Sequence, residues 1–191
     1  MKPAILLLLV STAPAWAADT YKIDPAHSTV GFSVSHMVIN TVHGKFKQFE
    51  GTVDVDNNAV QAAQGTIQTK SIDTANDRRD NHLRTPDFFD AEKYPTIIFQ
   101  SKRAEKKEGE TVLIGDFTMH GVTKELALPV TLKGPIKDPW GNSRIGLQAK
   151  TKLNRRDFGL KYNQTLETGG LVVGDEVELE ISAEAVKSAA K

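Results

Sequence analysis

The chain has 191 residues, of which 39% are hydrophobic and 25% are charged, and its 24 basic side chains balance 24 acidic ones. This length indicates one domain, and the composition is typical of a globular protein rather than a disordered or fibrous one. The balanced charge gives no support for a nucleic-acid-binding protein or for attraction to an anionic membrane surface. The sequence has no cysteine, which excludes disulfides, zinc–thiolate sites and a cysteine nucleophile.

Residues 1–17 have the three parts of a secretory signal peptide. Lys2 supplies the positive charge, residues 4–10 form an apolar core, and the AWA sequence at residues 15–17 matches a small-x-small cleavage site. The apolar run is too short to span a bilayer, and an uncleaved N-terminal anchor is the alternative. We therefore expect a mature domain of residues 18–191 that is exported, and that is periplasmic if the source is a Gram-negative bacterium.

Eight segments alternate apolar and polar residues, which is typical of half-buried strands. They lie at residues 29–36, 41–55, 65–71, 96–102, 111–119, 126–132, 145–153 and 177–183. In the second, Phe46 and Phe49 are an odd number of positions apart, and a bulge near Gln48 would bring both to one face. Eight short amphipathic strands predict an antiparallel sheet, either closed into a barrel or split into a two-layer sandwich. An eight-stranded barrel can hold one small ligand inside.

A charged segment separates the third and fourth predicted strands. Asp77 is placed to cap a short helix, and Asp80 follows at the capping-box position. Asp80 and Arg84 have the spacing of an i, i+4 ion pair. Leu83 is the only apolar residue of this helix, so we expect one hydrophobic anchor and an otherwise polar surface. Pro86 ends the helix or opens a second short turn.

If the strands run up and down, alternate loops share one end of the sheet. The helical insert and the later RRDFG segment at residues 155–159 would then lie at the same end, near the connection at residues 38–43. The loop that contains Trp140 would lie at the opposite end. Binding groups tend to sit on loops supported by a rigid β scaffold, so we expect the end with the two arginine clusters to be the binding end.

Several motifs, in order along the mature chain, resemble those of the YceI family. They are YKID, GFSVSH, HGKFKQFEGT, RRDNHLR with DFFDAEKYPTIIF, MHGVTK and DPWG. Proteins of this family are periplasmic, lipocalin-like and bind polyisoprenoid lipids. The resemblance implies an all-β fold: an eight-stranded antiparallel lipocalin-like barrel with a short helical insert between strands three and four. It also implies an apolar cavity for an isoprenoid chain and, in many members, a homodimer. It points to no catalytic activity, and we expect no cofactor.

Four residues are suited to hold a polar head group of such a lipid. They are Arg78, Arg79, His82 and Arg84. Arginine forms charge-assisted bonds to phosphate groups, and histidine can donate to a head-group oxygen. The alternative is a solvated helix face with an Asp80–Arg84 pair, and for Arg155 and Arg156 a solvated face is the preferred interpretation. The resemblance leaves open whether the lipid is a polyprenyl phosphate, a polyprenyl pyrophosphate or an isoprenoid quinone.

Ten residues are candidates for the lining of the cavity, because they are aromatic or lie on an apolar strand face. They are Phe32, Val34, His36, Phe46, Phe88, Phe89, Tyr94, Phe99, Phe117 and Phe158. Some of these side chains must simply fill the core, and His36 can equally be read as a core histidine with its hydrogen bonds satisfied.

The remaining motifs favour a binding protein. The five histidines lack the tight spacing of zinc motifs, so we expect no metal site. The sequence has no GxSxG elbow and no glycine-rich phosphate loop. We therefore expect a protein that binds an isoprenoid lipid for transport, storage or envelope stress, without an integral membrane span. An enzyme acting on an isoprenoid or other apolar substrate in the same cavity, and a ligand-free stress or interaction protein, are the alternatives.

Overall fold

Antiparallel strands form almost all of the fold. The computed structural model describes residues 18–164 and 171–188, and the predicted leader at residues 1–17 lies outside them. In these ranges the strands and the single α-helix are β1 Asp19–His36, β2 Asn40–Phe46, β3 Phe49–Asp56, β4 Ala59–Gln68, β5 Ile72–Asp73, α1 Asp77–Leu83, β6 Thr96–Lys107, β7 Glu110–Met119, β8 Val122–Lys137, β9 Ser143–Asn154 and β10 Val173–Lys187.

The sheet closes on itself because β1 pairs with β10, as in the register Phe32↔Leu179. One half of β1 pairs with β3 and the other half with β2, so β2 and β3 together occupy one position in the barrel. With the two-residue β5 as a side element, the result is a closed, eight-stranded antiparallel barrel, as predicted. Closure pairs β1 with β10, which protects the facing edges of these two strands from pairing with other chains. The helix lies between the third and fourth barrel strands, also as predicted.

The irregularity predicted near Gln48 is a two-residue break between β2 and β3. Gln48 accepts a hydrogen bond from the main-chain N–H of Gln68 (2.9 Å), and Lys47 donates to the carbonyl of Ser71 (3.0 Å). These bonds hold the break against the start of the insert. Phe46 before it and Phe49 after it both border the barrel interior, which confirms the predicted change of face.

Several strands begin earlier than the alternation indicated, and the difference is largest for the first and the third. The first starts at Asp19, because an irregular register between Asp24 and Thr29 interrupts the period-two pattern. The third starts at Ala59, directly after a turn in which Asn57 has a φ of 49°. Its first residues are mostly small, and small side chains give little contrast between the two faces.

The loop between β8 and β9 braces the end of the barrel opposite the helix, which we call the far end. The Asp138 carboxylate accepts from the main-chain N–H groups of Trp140 (3.0 Å) and Asn142 (2.9 Å), and from Nε of Arg144 (2.9 Å). Arg144 also donates to Asp24 on β1 (3.1 Å). The Arg144 guanidinium, followed by the side chain of Asn142, lowers the pKa of Asp138 from its ordinary 3.8 to about 2.

We expect Asp138→Asn to lower the melting temperature at pH 7 by a few degrees, since it keeps a main-chain acceptor but removes the charge held by Arg144. Because folding lowers the pKa of Asp138, its contribution to stability is complete above pH 4 and is lost as the pH falls through about 2. The difference between parent and variant, measured by circular dichroism melts, should therefore shrink from pH 4 downward. A difference of constant size down to pH 2 would contradict this role.

Candidate functional site

The barrel encloses a cavity of about 230 Å³ that runs along its length. It is bordered in the far half by residues such as Leu113 and Leu147, and near the helix by Leu83 and Phe88. The lining is almost wholly aliphatic and aromatic. The volume of this cavity exceeds that of an apolar cavity of roughly 150 Å³ in another protein, which stays dry and binds benzene. Its volume and lining suit an apolar ligand segment rather than a polar molecule.

Strand alternation explains why the lining is apolar. On β10, Leu179 and Ile181 point into the cavity, while Glu178 on the outer face pairs with Lys150 of β9 (2.8 Å). The same division holds on β8, where Leu126, Leu128 and Val130 face inward. Every second position of these segments therefore contributes to the cavity, and the positions between them face outward, with glutamates on β10 and Ala127 and Pro129 on β8.

Three segments meet at the end of the barrel where β1 ends and β10 begins, which we call the mouth. They are the insert at residues 69–95, the His120-Gly121 hairpin, and the connection that follows β9 from residue 155. The Phe88 and Tyr162 rings are 4.7 Å apart between centroids, and His120 Nδ1 donates to the carbonyl of Phe158 (3.0 Å). The predicted meeting of both arginine-bearing segments at one end is thus observed.

Polar contacts inside the insert differ from those predicted. The helix cap is Asn76, whose side chain accepts from the N–H of Arg79 (3.0 Å), and Asp77 is the first helical residue. Asp80 is buried and accepts from the main-chain N–H of Thr74 (2.9 Å), so the predicted Asp80–Arg84 pair does not form. The Asp80 side chain points inward because it accepts hydrogen bonds from the N–H and the hydroxyl group of Thr74, in the turn before the helix.

Two of the three predicted head-group arginines support the insert itself. Arg79 donates through Nε to Oγ1 of Thr74 (2.7 Å) and through Nη2 to its carbonyl (2.8 Å). Arg84 donates to the carbonyls of Lys70 (2.8 Å) and Ile72 (2.8 Å). Most of the hydrogen bonds from these two guanidinium groups therefore go to main-chain carbonyls of the insert. Neither of the two interpretations of the sequence, a head-group site or a solvated helix face, predicted this role.

Arg78 and His82 lie closer to what the sequence predicted. Arg78 is exposed, and its side chain makes no hydrogen bond or ion pair within residues 18–164 and 171–188. His82 Nε2 lies 2.9 Å from the Asp87 carboxylate, and its ring stands edge-on to Phe88 and Tyr162. Arg78 and His82, with Asn76 and Arg79, border a shallow depression on the mouth. The structure thus brings a cationic surface to the mouth, although its role in binding stays a prediction.

Arg155 is buried, which corrects the preferred interpretation of a solvated face. It is only 4% exposed and donates to the carbonyls of Leu160 (2.7 Å) and Tyr162 (2.9 Å) and to Asp175 (3.2 Å). Burial lowers the pKa of its guanidinium. Although Arg155 borders the cavity, further bonds to the carbonyls of residues 173 and 174 complete its donor set. It therefore anchors the connection and has no donor left for a ligand.

The structure places most, but not all, of the ten predicted lining residues at the cavity. Those that border it are Phe32, Val34, Phe46, Phe88, Phe89, Phe99 and Phe117. His36 lies beyond Val34 at the end of β1, and Tyr94 packs on His120 at the mouth (4.5 Å between centroids). Phe158 fills the core against Phe117 (5.4 Å). These three therefore do not border the cavity.

Sequence reasoning missed Gly44 and Tyr162. A Cβ atom on Gly44 would overlap the Phe32 ring, so the absence of a side chain there makes room for a ring that borders the cavity. A glycine inside a strand signals close approach of this kind. No local signal marks Tyr162, because its partners His82 and Phe88 are far away in sequence.

Neither a metal site nor a membrane-spanning helix is found in the described part of the chain. No three His, Asp or Glu side chains of residues 18–164 and 171–188 are grouped to hold a metal ion. No helix in those ranges is both long and apolar enough to cross a bilayer.

Comparisons with known proteins identify the family. A model described as a YceI-like domain matches residues 21–185. A UPF0312 protein of Photorhabdus laumondii is 38% identical, over 94% of this chain and 92% of its own. A YCEI protein of Campylobacter jejuni is 33% identical with a TM-score of 0.70, covering 87% of this chain and 96% of its own.

A more distant structure shares only the fold. It is a polyisoprenoid binding domain from Saccharophagus degradans, described as implicated in plant cell wall breakdown. It is 16% identical with a TM-score of 0.67, over 88% of this chain and 98% of its own. The family model covers most of the chain, and the relatives match it along nearly their whole length. The chain therefore belongs to the YceI family.

Proposed function

We propose that this protein binds an isoprenoid lipid in the periplasm, with the tail inside the barrel and the head group at the mouth. The observation that carries the proposal is the apolar cavity, which reaches from the far half of the barrel to the insert. The binding named for the distant domain from Saccharophagus degradans supports the same ligand class. Transport or storage of the lipid, in the envelope or under stress, would follow from this binding.

The cavity lining supports burial of the tail. Filling apolar cavity volume is worth roughly 24 cal/mol per Å³, so a tail occupying this space would gain on the order of 5 kcal/mol. Ordering a flexible tail offsets part of that gain. A long isoprenoid would exceed a volume of about 230 Å³ and would require neighbouring side chains to move or part of the chain to stay at the mouth.

The depression beside α1 supports placing an anionic head group at the mouth. Arg78 is exposed there, and Arg79 has its Nη1 unused within the described chain. Leu83 and Phe88, on the other side of the same segment, border the cavity. The two arginines thus border the depression on the outer side of the insert, and apolar side chains of the insert border the cavity. This arrangement suits a phosphate or pyrophosphate on an isoprenoid tail. A quinone head group would leave the cations without a role.

The alternative of an enzyme in the same cavity is less well supported. Nucleophilic catalysis needs a nucleophile beside a base. Among the described residues that border the cavity there is no serine, cysteine, histidine or lysine. The hydroxyl groups there belong to Thr52 and Thr66, and the acidic residue is Glu50, which is exposed. A ligand-free interaction protein would not need an apolar cavity of this size.

Filling the cavity should block the tail without unfolding the protein. Ala149 on β9 borders the cavity, and Ala149→Leu adds apolar bulk there. We expect it to weaken binding of geranylgeraniol, a neutral isoprenoid, by about ten-fold or more. The complex would hold the tail and the added side chain in the same space, and overpacking of this kind costs roughly 1–3 kcal/mol. Fluorescence competition titration measures this. Ala127→Leu, at an exposed position of β8, is the matched control and should bind as the parent does. Unchanged binding by Ala149→Leu would place the tail elsewhere.

The head-group site is tested best with Arg78, because it has no structural bond to lose among the described residues. We expect Arg78→Ala to bind geranylgeranyl pyrophosphate about five- to ten-fold more weakly, since a charge-assisted bond at an exposed site is worth on the order of 1 kcal/mol. Affinity for geranylgeraniol should not change. Lys137→Ala removes an exposed cation at the far end and is the control. Equal losses for both ligands would show that Arg78 supports the fold or the mouth rather than the head group.

A further inference from the structure

The turn between β1 and β2 carries three exposed apolar residues, Met37, Val38 and Ile39, which we call the hairpin tip. Their side chains are 39%, 73% and 87% exposed. Single apolar residues are common on protein surfaces, but three in succession at a projecting turn form a patch that favours contact with an apolar partner.

The backbone of the hairpin tip is unfavourable for these residues. Met37 has a φ of 53° and Val38 a φ of 66°, both in the left-handed region. A β-branched residue there is an outlier, and hairpin turns of this kind prefer asparagine and glycine. A sequence selected for stability alone would place polar residues here. Residues that keep an unfavourable backbone conformation at an exposed position, where polar residues would fit better, indicate a function for that position.

The hairpin tip belongs to the mouth of the barrel. The N–H of Met37 donates to the carbonyl of Val172, in the connection that leads into β10 (2.8 Å). The same connection carries Tyr162, which packs on Phe88 of the insert. Val34, three positions before the tip, borders the cavity. A surface that covered the hairpin tip would therefore lie against the segments that surround the mouth.

The charge around the hairpin tip favours an anionic surface, although the whole chain is neutral. Residues 25–49 contain no aspartate or glutamate, but they include Lys45, Lys47 and three histidines. Lys47 pairs with Asp73, whereas Lys45 is exposed on β2. On β10, which pairs with this part of β1, Asp175 is paired with Arg156 and Glu176 with Lys152. Lys45 therefore adds an exposed cation six positions after Ile39, and an apolar tip with a cation behind it matches the interfacial layer of a bilayer, where apolar side chains insert and lysines meet anionic head groups.

We propose that the hairpin tip inserts into the interfacial layer of a lipid bilayer that contains anionic lipids, and so docks the mouth against the membrane. Three side chains are too few for a protein–protein interface of standard size, but they suffice as a point of insertion supported by charge. Reversible docking of this kind would place the mouth where a membrane lipid can enter or leave.

The test uses vesicles of phosphatidylcholine and phosphatidylglycerol, with the full mature chain and no isoprenoid. We expect the parent to cosediment with them and Val38→Asn/Ile39→Ser to partition roughly ten-fold more weakly or worse. Asparagine tolerates a positive φ, so this variant should melt at or above the parent temperature. Loss of vesicle binding without loss of stability separates docking from folding.

The control removes exposed apolar surface from the far end. Ile136 and Trp140 are 65% and 80% exposed, and Ile136→Ser/Trp140→Ser should bind vesicles as the parent does. Equal losses in both variants would show nonspecific adhesion and overturn the proposal. Absence of vesicle binding by the parent, or undiminished binding by the tip variant, would overturn it too.

Two further measurements complete the test. Lys45→Gln should weaken binding to the anionic vesicles about five-fold and leave binding to pure phosphatidylcholine vesicles unchanged. If both fall equally, the charge argument fails. Analytical ultracentrifugation should give the same mass for the parent and the tip variant. A dimer that became a monomer in the variant would assign the hairpin tip to a second copy and overturn membrane docking. Because no isoprenoid is present, these outcomes are independent of the function proposed above.

Discussion

The pairing of β1 with β10 is the constraint on which the rest of the structure depends. It closes the sheet, so alternate residues of each strand must face a common interior. Leu179 and Ile181 thereby meet residues from the opposite wall, such as Leu113, across a cavity rather than a solvent face. An open sheet with the same sequence would expose this apolar surface. Closure also fixes which loops share an end, and so it determines that the insert and the connection after β9 form one mouth.

The mouth is held by polar contacts that come from distant parts of the chain. The buried guanidinium of Arg155 binds carbonyls on both sides of the connection, and Arg79 and Arg84 do the same within the insert. Removing the partners of the buried Arg155 would be strongly destabilising, so this arginine fixes Leu160 at the cavity. The half-buried Arg79 and Arg84 hold the insert that carries Leu83 and Phe88. Rigid support of this kind leaves Arg78 and the hairpin tip exposed for contacts with other molecules.

Alternation in the sequence predicted the eight amphipathic strands and most of the strand residues that line the cavity, and it placed the insert between the third and fourth strands. It did not distinguish a barrel from a two-layer sandwich, and the resemblance to the YceI family selected the barrel. The roles of the arginines were not predictable in this way. Nothing in the RRDFG segment indicates that the carbonyls of residues 160, 162, 173 and 174 converge on Arg155, since that convergence exists only after β10 docks. The early start of β1 was missed for a local reason, the irregular register between Asp24 and Thr29. The close approach of Phe32 to Gly44 could have been predicted, since a glycine inside a strand often marks close packing.

The central claim is that the barrel of this YceI-family protein holds an isoprenoid tail. Native mass spectrometry of protein purified from its own source, followed by organic extraction and identification of what is released, tests it most directly. A bound species should add to the mass of the chain, leave on extraction and prove to be an isoprenoid. Protein that carries only fatty acids or phospholipids, or that shows the mass of the chain alone after gentle purification, would contradict the claim.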